Sequence, residues 1–129
     1  MKKIIIFSLF VLMFGKISYA QDQTIVLNGL PLIQNKASFE NSSNAKMTES
    51  QSNEYRLLII KHGDNYFWAS RNNKQLILRI SGAFHIFIEP GGAGYIKIMN
   101  SDEGALYMEH MSIGLQTVTY WGMASSFNP

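Results

Sequence analysis

Cysteine is absent from this 129-residue chain, and its absence excludes several classes of protein. A disulfide scaffold, a thiolate metal site and a lipid anchor on an N-terminal cysteine all require a thiol. Charged residues are also scarce, at 16% of the chain, whereas hydrophobic residues make up 47%. This length and composition are typical of one small domain whose stability has to come from its apolar core.

The longest apolar run lies at the start of the chain. Two lysines precede residues 4–14, which are apolar except for Ser8, and Ser18 and Ala20 then supply the small residues that signal peptidase reads. The run is too short to cross a bilayer, which needs about 20 apolar residues. We therefore expect residues 1–20 to be a signal peptide, cleaved after Ala20. The mature protein is expected to be secreted or periplasmic and to have no membrane span.

Basic residues barely exceed acidic ones. The chain has eleven Lys and Arg against nine Asp and Glu, but Lys2, Lys3 and Lys16 lie in or beside the expected signal sequence, which leaves eight against nine. A nearly neutral chain has no field that would attract nucleic acid or an anionic membrane surface. We therefore expect no nucleic-acid partner.

Composition divides the mature chain into two parts. Residues 24–33 are apolar around an Asn-Gly pair and predict a short hairpin or one edge strand. Residues 34–53 are rich in Asn and Ser and hold too few apolar side chains to offset the entropy of ordering them. We interpret them as a flexible linker, with a helical turn over Glu40–Met47 as the alternative. The predicted organisation is a signal peptide at 1–20, an apolar segment with a linker at 21–53, and a β domain at 54–129.

From Glu54 onward, short runs rich in Ile, Leu, Tyr, Phe and Trp alternate with Gly, Asn and Asp at turns. This pattern is typical of an antiparallel β-meander, and no segment has a sustained helical period. The expected strands are Tyr55–Lys61, Asn65–Ser70, Gln75–Ile80, Ala83–Glu89, Tyr95–Asn100, Ala105–Met111 and Leu115–Ala124. We predict an all-β fold, a small antiparallel meander of six or seven strands that forms a strongly coiled sheet or a small barrel.

The turn positions predict which residues pair. A loop at Gly63-Asp64 pairs Ile60 with Phe67, and a loop at Asn72-Asn73 pairs Phe67 with Leu78. Both turns then place the same apolar side chains on one face. We predict that this face is the core, made of Leu58, Ile60, Phe67, Ala69, Leu76 and Leu78.

Two later turns set the rest of the sheet. A five-residue loop at Pro90–Gly94 pairs Ile88 with Ile96. We interpret Ser81-Gly82 as a bend inside one continuous strand, because glycine in a β run often marks a barrel corner. The alternative is a tight turn at Ser81-Gly82, and a one-residue difference there would exchange the two faces.

Aromatic residues with polar tips supply the candidate binding surface. Tyr66 and Trp68 fall on the face opposite the predicted core, beside Lys61 and Arg79. Tyr and Trp combine an apolar body with a hydrogen-bonding tip, which suits a platform for carbohydrate, peptide or another protein. We therefore predict that Tyr66, Trp68, Lys61 and Arg79 bind the ligand. The alternative is that this face becomes a second core as a barrel closes. The C-terminal Tyr120-Trp121-Gly122 and the tail Ser125–Pro129 are open to the same two interpretations.

Catalytic and metal-binding patterns are weak. His62, His85 and His110 are too far apart in sequence for the short spacings from which metal sites are recognised. No Gly-x-Ser-x-Gly elbow occurs, and the glycines of 91–94 lead into a strand rather than a helix, unlike a phosphate-binding loop. We predict no catalytic residue, no metal site and no cofactor.

These observations favour a non-enzymatic binding or interaction module that acts outside the cytoplasm. Its ligand would be an unknown protein, peptide or carbohydrate. Two alternatives remain open at this point. One is a small secreted hydrolase that uses a His/carboxylate site with or without a metal, and the other is a structural subunit that self-associates as a homo-oligomer.

Overall fold

The computed structural model describes residues 23–129, so the expected signal peptide and its cleavage point lie outside the described residues. This part of the chain forms β-strands and one short helix. The strands are β1 Gln23–Ala37, β2 Ser42–Lys46, β3 Leu57–His62, β4 Asn65–Trp68, β5 Lys74–Ser81, β6 Phe84–Ile88, β7 Gly94–Ser101, β8 Gly104–Ile113 and β9 Gln116–Phe127, and helix α1 is Glu49–Glu54.

Eight of these strands close into a barrel. The strand order is β2-β1-β3-β4-β5-β6-β7-β8-β9, and β1 also pairs with β9 to complete the ring. The closure depends on the length of β1, which pairs with β3 over Gln23–Gly29 and with β9 over Leu27–Ala37. Every pairing is antiparallel, and β2 extends the sheet outside the ring. The predicted all-β antiparallel meander and small barrel are confirmed, with nine strands among the described residues where six or seven were expected.

The seven strands expected after Glu54 correspond to β3–β9, with ends that differ by a few residues. Glycines in the left-handed region form the tight turns, including Gly63 (φ 61°) and Gly82 (φ 59°). Because Ser81 pairs directly with Phe84, Gly82 lies in a two-residue hairpin turn. The bend predicted at Ser81-Gly82 is therefore wrong.

The Asn/Ser-rich stretch, where the sequence predicted a linker, contains the end of β1, all of β2 and nearly all of α1. Thr48 caps α1 in a reciprocal capping box with Gln51, and Ser52 Oγ donates to the Pro31 carbonyl at 2.6 Å, which ties the helix to β1. The composition of this stretch did not indicate regular structure, because the backbone pairing of β1 and β2 does not depend on apolar side chains. Since β1 is part of the barrel wall, the domain boundary predicted at Glu54 is wrong. One strand does run through 24–33, as one of the two expectations for this segment had it, but β1 lies in the barrel wall and not at an edge. The alternative of a helical turn over Glu40–Met47 is wrong, because this segment contains β2.

The core face predicted for β3 and β4 is reversed. Ile60 does pair with Phe67 as expected, but Ile59 and Trp68, with 0% and 1% of their surface exposed, face the interior. The error lies in the next hairpin, where the loop between β4 and β5 is longer than two residues and Phe67 pairs with Gln75. The residues that fill the barrel are Val26, Leu27, Leu57, Ile59, Trp68, Leu76, Phe87, Ile96, Ile98, Ala105, Tyr107 and Ala124.

The hairpin between β6 and β7 is shifted by one residue from the prediction. Glu89 N donates to the Gly94 carbonyl at 3.0 Å, so four residues rather than five cross the turn. Phe87 consequently pairs with Ile96, and both side chains are fully buried. A one-residue slip exchanges the faces of a strand, which is why the predicted pair Ile88 with Ile96 is wrong.

Candidate functional site

The four predicted binding residues do not share an exposed surface. Trp68 is buried inside the barrel, and Tyr66 is half-buried with Lys61 Nζ 5.3 Å from the centre of its ring. Arg79 is exposed on β5, on the opposite side of that strand from the buried Leu76. Burial of Trp68 excludes an aromatic platform on this face, because its ring cannot stack on a surface ligand. For Trp68, the alternative interpretation, in which this face becomes a core as the barrel closes, is correct.

Trp68 instead takes part in a buried polar network. Its Nε1 donates to Glu109 Oε2 at 2.7 Å, and Arg71 Nη2 donates to Glu109 Oε1 at 2.8 Å. Burial raises the pKa of the Glu109 carboxyl, and the Arg71 charge and the Trp68 hydrogen bond oppose that rise. Glu109 is 0% exposed and both of its oxygens are occupied, so it anchors Arg71 rather than facing a ligand.

Arg71 holds the β4–β5 loop over one end of the barrel. Its guanidinium donates to the carbonyls of Ser70 (3.1 Å) and Tyr55 (3.4 Å) and lies 5.7 Å from the centre of the Tyr120 ring. The loop can turn here because Asn72 adopts the left-handed conformation, which asparagine tolerates. Sequence reasoning missed both Arg71 and Glu109, since no local pattern pairs residues 38 positions apart.

A hollow of about 270 Å³ opens beside this loop, and we call it the mouth cleft. Its walls include Trp68, Arg71, Lys74, Met111, Ser112 and Ile113. Lys74 pairs with Trp68 across the β4–β5 hairpin and is exposed at the rim. The nearby Glu89 carboxylate accepts from Gly91 N and Ala93 N, and these hydrogen bonds, with a smaller effect of Lys74, lower its pKa.

Three large apolar side chains project beside the cleft, and we call them the apolar tip. Phe39 is 92% exposed at the β1–β2 turn, and Leu115 (84%) and Ile113 (61%) lie at the β8–β9 turn. They line one hollow of about 380 Å³, whose wall also includes Ser38, Gln116 and the exposed Glu40. Because Ile113 also lines the mouth cleft, the two hollows lie on either side of this residue and adjoin.

A second apolar surface lies on the outer wall of the barrel. A hollow of about 260 Å³ is lined by Phe84, Lys97, Met99, Leu106, Met108 and Trp121, and we call these residues the Trp121 face. The strand registers bring them side by side, because Lys97, Met108 and Trp121 pair in turn across β7, β8 and β9. Trp121 is 41% exposed and Leu106 is 37% exposed. The face therefore presents two aromatic rings and two methionines on the sheet.

The three histidines lie in separate environments. His85 packs edge-on against Phe127, with ring centroids 5.0 Å apart, and His110 Nδ1 lies 2.8 Å from Thr119 Oγ1. His62 lines a different hollow, next to Phe67. Among residues 23–129, no group of three or more His, Cys, Asp or Glu side chains is placed to hold a metal ion.

Comparisons with known proteins do not add a relative. No protein-family model matches the chain, and neither the curated proteins nor the solved structures contain a match. None of the helices between residues 23 and 129 is long and apolar enough to cross a membrane.

Proposed function

We propose that the protein is a non-enzymatic interaction module that acts outside the cytoplasm and binds a protein partner through the Trp121 face. The observation that carries this proposal is the exposure of Trp121, 41% of whose surface is open in a hollow between Met108 and Leu106. Export is supported by the pattern of residues 1–20, a basic start, an apolar run and small residues before the expected cleavage point.

The composition of the face favours a protein partner. Trp, Phe and Met are enriched at the centres of protein interfaces, and Trp is among the residues whose truncation costs the most binding energy. Methionine adapts its shape to the surface that covers it. The β8–β9 pairing, continuous from Ala105 to Ile113, holds these side chains on a rigid scaffold, which limits the entropy lost on binding.

Charge indicates the chemistry of the partner. Lys97 is the one charged residue of the Trp121 face, and its Nζ lies 4.2 Å from the centre of the Phe84 ring. A partner surface with a carboxylate beside apolar side chains complements this arrangement. A second copy of the chain complements it less well, because a symmetric contact centred here would bring two Lys97 ammonium groups together.

Site-specific photocrosslinking tests the proposal. A photoreactive amino acid is placed at position 106 on the face, and the matched control carries it at position 77 on β5, where Ile77 is also exposed (49%). We expect a crosslinked partner in the producing cells from position 106 and none from position 77. The captured protein is then purified, and its affinity is measured for wild type, Trp121→Ala and Ile77→Ala.

The affinities decide the outcome. We expect Trp121→Ala to weaken binding by at least about tenfold, the effect of losing a central aromatic anchor, while Ile77→Ala binds like wild type. Equal binding by Trp121→Ala and wild type would contradict the proposal. So would a partner captured equally well from positions 77 and 106.

A further inference from the structure

The mouth cleft and the apolar tip form a second surface, separate from the Trp121 face. Four hairpin and loop connections meet at this end of the barrel, because alternate turns of an antiparallel meander fall on the same side. Ser112 N donates to the Ala93 carbonyl at 2.9 Å, which joins the β6–β7 loop to the end of β8. Ile113 follows directly and lines both the cleft and the hollow of the tip.

Lys74 and Ser112 supply hydrogen-bond donors to the mouth cleft, beside the side-chain amide of Asn72, which can both donate and accept. Lys74 contributes an exposed ammonium, and Ser112 contributes a hydroxyl that makes no hydrogen bond to the described residues. Glu40 is exposed in the adjoining hollow of the tip, and the two carboxylates nearest the cleft are directed elsewhere. Glu109 is buried against Trp68 and Arg71, and Glu89 accepts from the backbone of its own loop. A ligand that fits this cleft therefore supplies acceptor oxygens, and a negative charge favours it further.

The tip offers the opposite chemistry. Phe39, Ile113 and Leu115 carry no polar side-chain atom, and their exposed fractions of 92%, 61% and 84% are higher than those on the Trp121 face. Contact of these side chains with water is unfavourable. An apolar chain that covers them therefore binds with a favourable free energy. The cleft and the tip are lined in common by Ile113, so one ligand can occupy both hollows.

We propose that this end of the barrel binds an amphiphile with an oxyanion head and an apolar chain. The head lies at Lys74 and Ser112 in the mouth cleft, and the chain follows Ile113 to Leu115 and Phe39. The surface runs from the cationic Lys74 to the apolar tip, and the ligand runs in the same direction from its anionic head to its apolar chain. The two hollows, about 270 and 380 Å³, approach the size of pockets that hold small ligands.

Methionine methyl NMR provides the test, because Met111 lines the mouth cleft while Met108 lies on the Trp121 face. Dodecanoate, dodecyl phosphate and dodecanol are titrated below their micelle concentrations into protein labelled with ¹³C at the methionine methyls. Dodecanoate and dodecyl phosphate differ in the source of the oxyanion, and dodecanol lacks it. We expect at least one anion to shift the Met111 signal and to bind about tenfold more tightly than dodecanol.

Variants locate the two ends of the ligand. We expect Lys74→Gln and Leu115→Ser each to weaken binding of that anion by about five- to tenfold. The matched controls are Arg79→Gln, an exposed cation elsewhere, and Ile80→Ser, an apolar side chain that is 67% exposed on β5. Both controls are expected to bind like wild type.

Three results would overturn this proposal. The first is equal binding of dodecanol and both anions, and the second is unchanged binding by Lys74→Gln or Leu115→Ser. The third is loss of anion binding in Trp121→Ala, which would place the amphiphile on the other face. Because Trp121→Ala is expected to keep its amphiphile binding, failure here is distinguishable from failure of the protein-binding proposal.

Discussion

Trp68 Nε1 and Glu109 Oε2 are joined by a 2.7 Å hydrogen bond that spans the inside of the barrel. The two residues lie on β4 and β8, which are not neighbours in the sheet. Arg71 holds the second oxygen of the same carboxylate and thereby ties the β4–β5 loop to the network. Hydrogen bonding of a buried charge to two donors offsets part of its desolvation, and the network fixes the end of the barrel beside the mouth cleft.

Truncation of Trp68 is expected to destabilise the protein more than truncation of Phe67. Trp68→Ala should lower the free energy of unfolding by about 3–5 kcal/mol, because it removes a buried ring and leaves Glu109 with an unpaired oxygen. Phe67 is only half-buried on the opposite face, so Phe67→Ala should cost well under half of that. Urea unfolding of both variants measures the difference, and equal costs would contradict the assignment of the inner face.

The variant Trp68→Phe tests the hydrogen bond from Trp68 to Glu109 while it keeps most of the apolar packing. This variant keeps an aromatic ring in the core and removes the N–H that Glu109 accepts from. We expect a loss of about 1–3 kcal/mol, the cost of leaving a buried acceptor unsatisfied. Wild-type stability in this variant would show that the Trp68 N–H contributes nothing to the fold.

Glu109 is expected to make stability depend on pH. Burial raises its pKa in the folded protein above the ordinary value of 4.5, so folding favours the protonated form. A raised pKa contributes stability that is present below the unfolded pKa and is lost as pH rises through the folded pKa. Relative to Glu109→Gln, the wild type should therefore lose stability as pH rises above the ordinary value of 4.5 and through the raised pKa.

Chemical denaturation of both proteins across this pH range measures the effect. The glutamine variant is the control, because it keeps an acceptor at this position but does not titrate. A wild type that gains stability relative to Glu109→Gln as pH rises would mean that the Arg71 ion pair outweighs burial.

We expect that residue 29 must be glycine for full stability, because the Tyr107 ring lies against its backbone. A Cβ at residue 29 would collide with Cε1 of that ring. Gly29→Ala should therefore cost about 1–3 kcal/mol, as overpacking does in a filled core. In a Tyr107→Val background the same substitution should cost much less, and a double-mutant cycle measures this coupling. An equal cost in both backgrounds would exclude the steric explanation.

Removal of β1 is expected to prevent folding. A chain that begins at Glu54 lacks the strand that pairs with both β3 and β9, so the barrel cannot close and two strand edges are left open. We expect poor dispersion in its amide NMR spectrum, whereas a chain that begins at Gln23 should fold. If the chain that begins at Glu54 folds, β1 is not needed for the domain, and the boundary predicted at Glu54 from composition is correct.

The sequence identified the elements of this fold better than their registers. Turn residues such as Gly63 and Gly82 have a local conformational reason to be where they are, so all seven later strands were predicted. The inner face depended on two loops whose lengths are set by contacts beyond the loop itself. Arg71, for example, draws the β4–β5 loop toward Glu109, and no pattern near residue 71 reveals that pairing.

The candidate binding surfaces were even harder to predict from the sequence than the strand registers. The aromatic residues near Trp68 and those near Trp121 have similar composition, and only barrel closure decides that Trp68 is buried and Trp121 half-exposed. The apolar tip joins Phe39 to Leu115 from turns that are distant in the chain. Closure itself depends on β1, whose second half lies in a stretch that composition assigned to a linker.

The proposed function is tested most directly by methionine methyl NMR with the captured and purified protein partner. Met99 and Met108 lie on the Trp121 face, whereas Met111 lines the mouth cleft and Met47 follows β2. Binding through the Trp121 face predicts that the Met99 and Met108 signals shift or broaden while those of Met47 and Met111 stay in place. A shift at Met111 with Met99 and Met108 unmoved would contradict the account and place the partner at the mouth of the barrel.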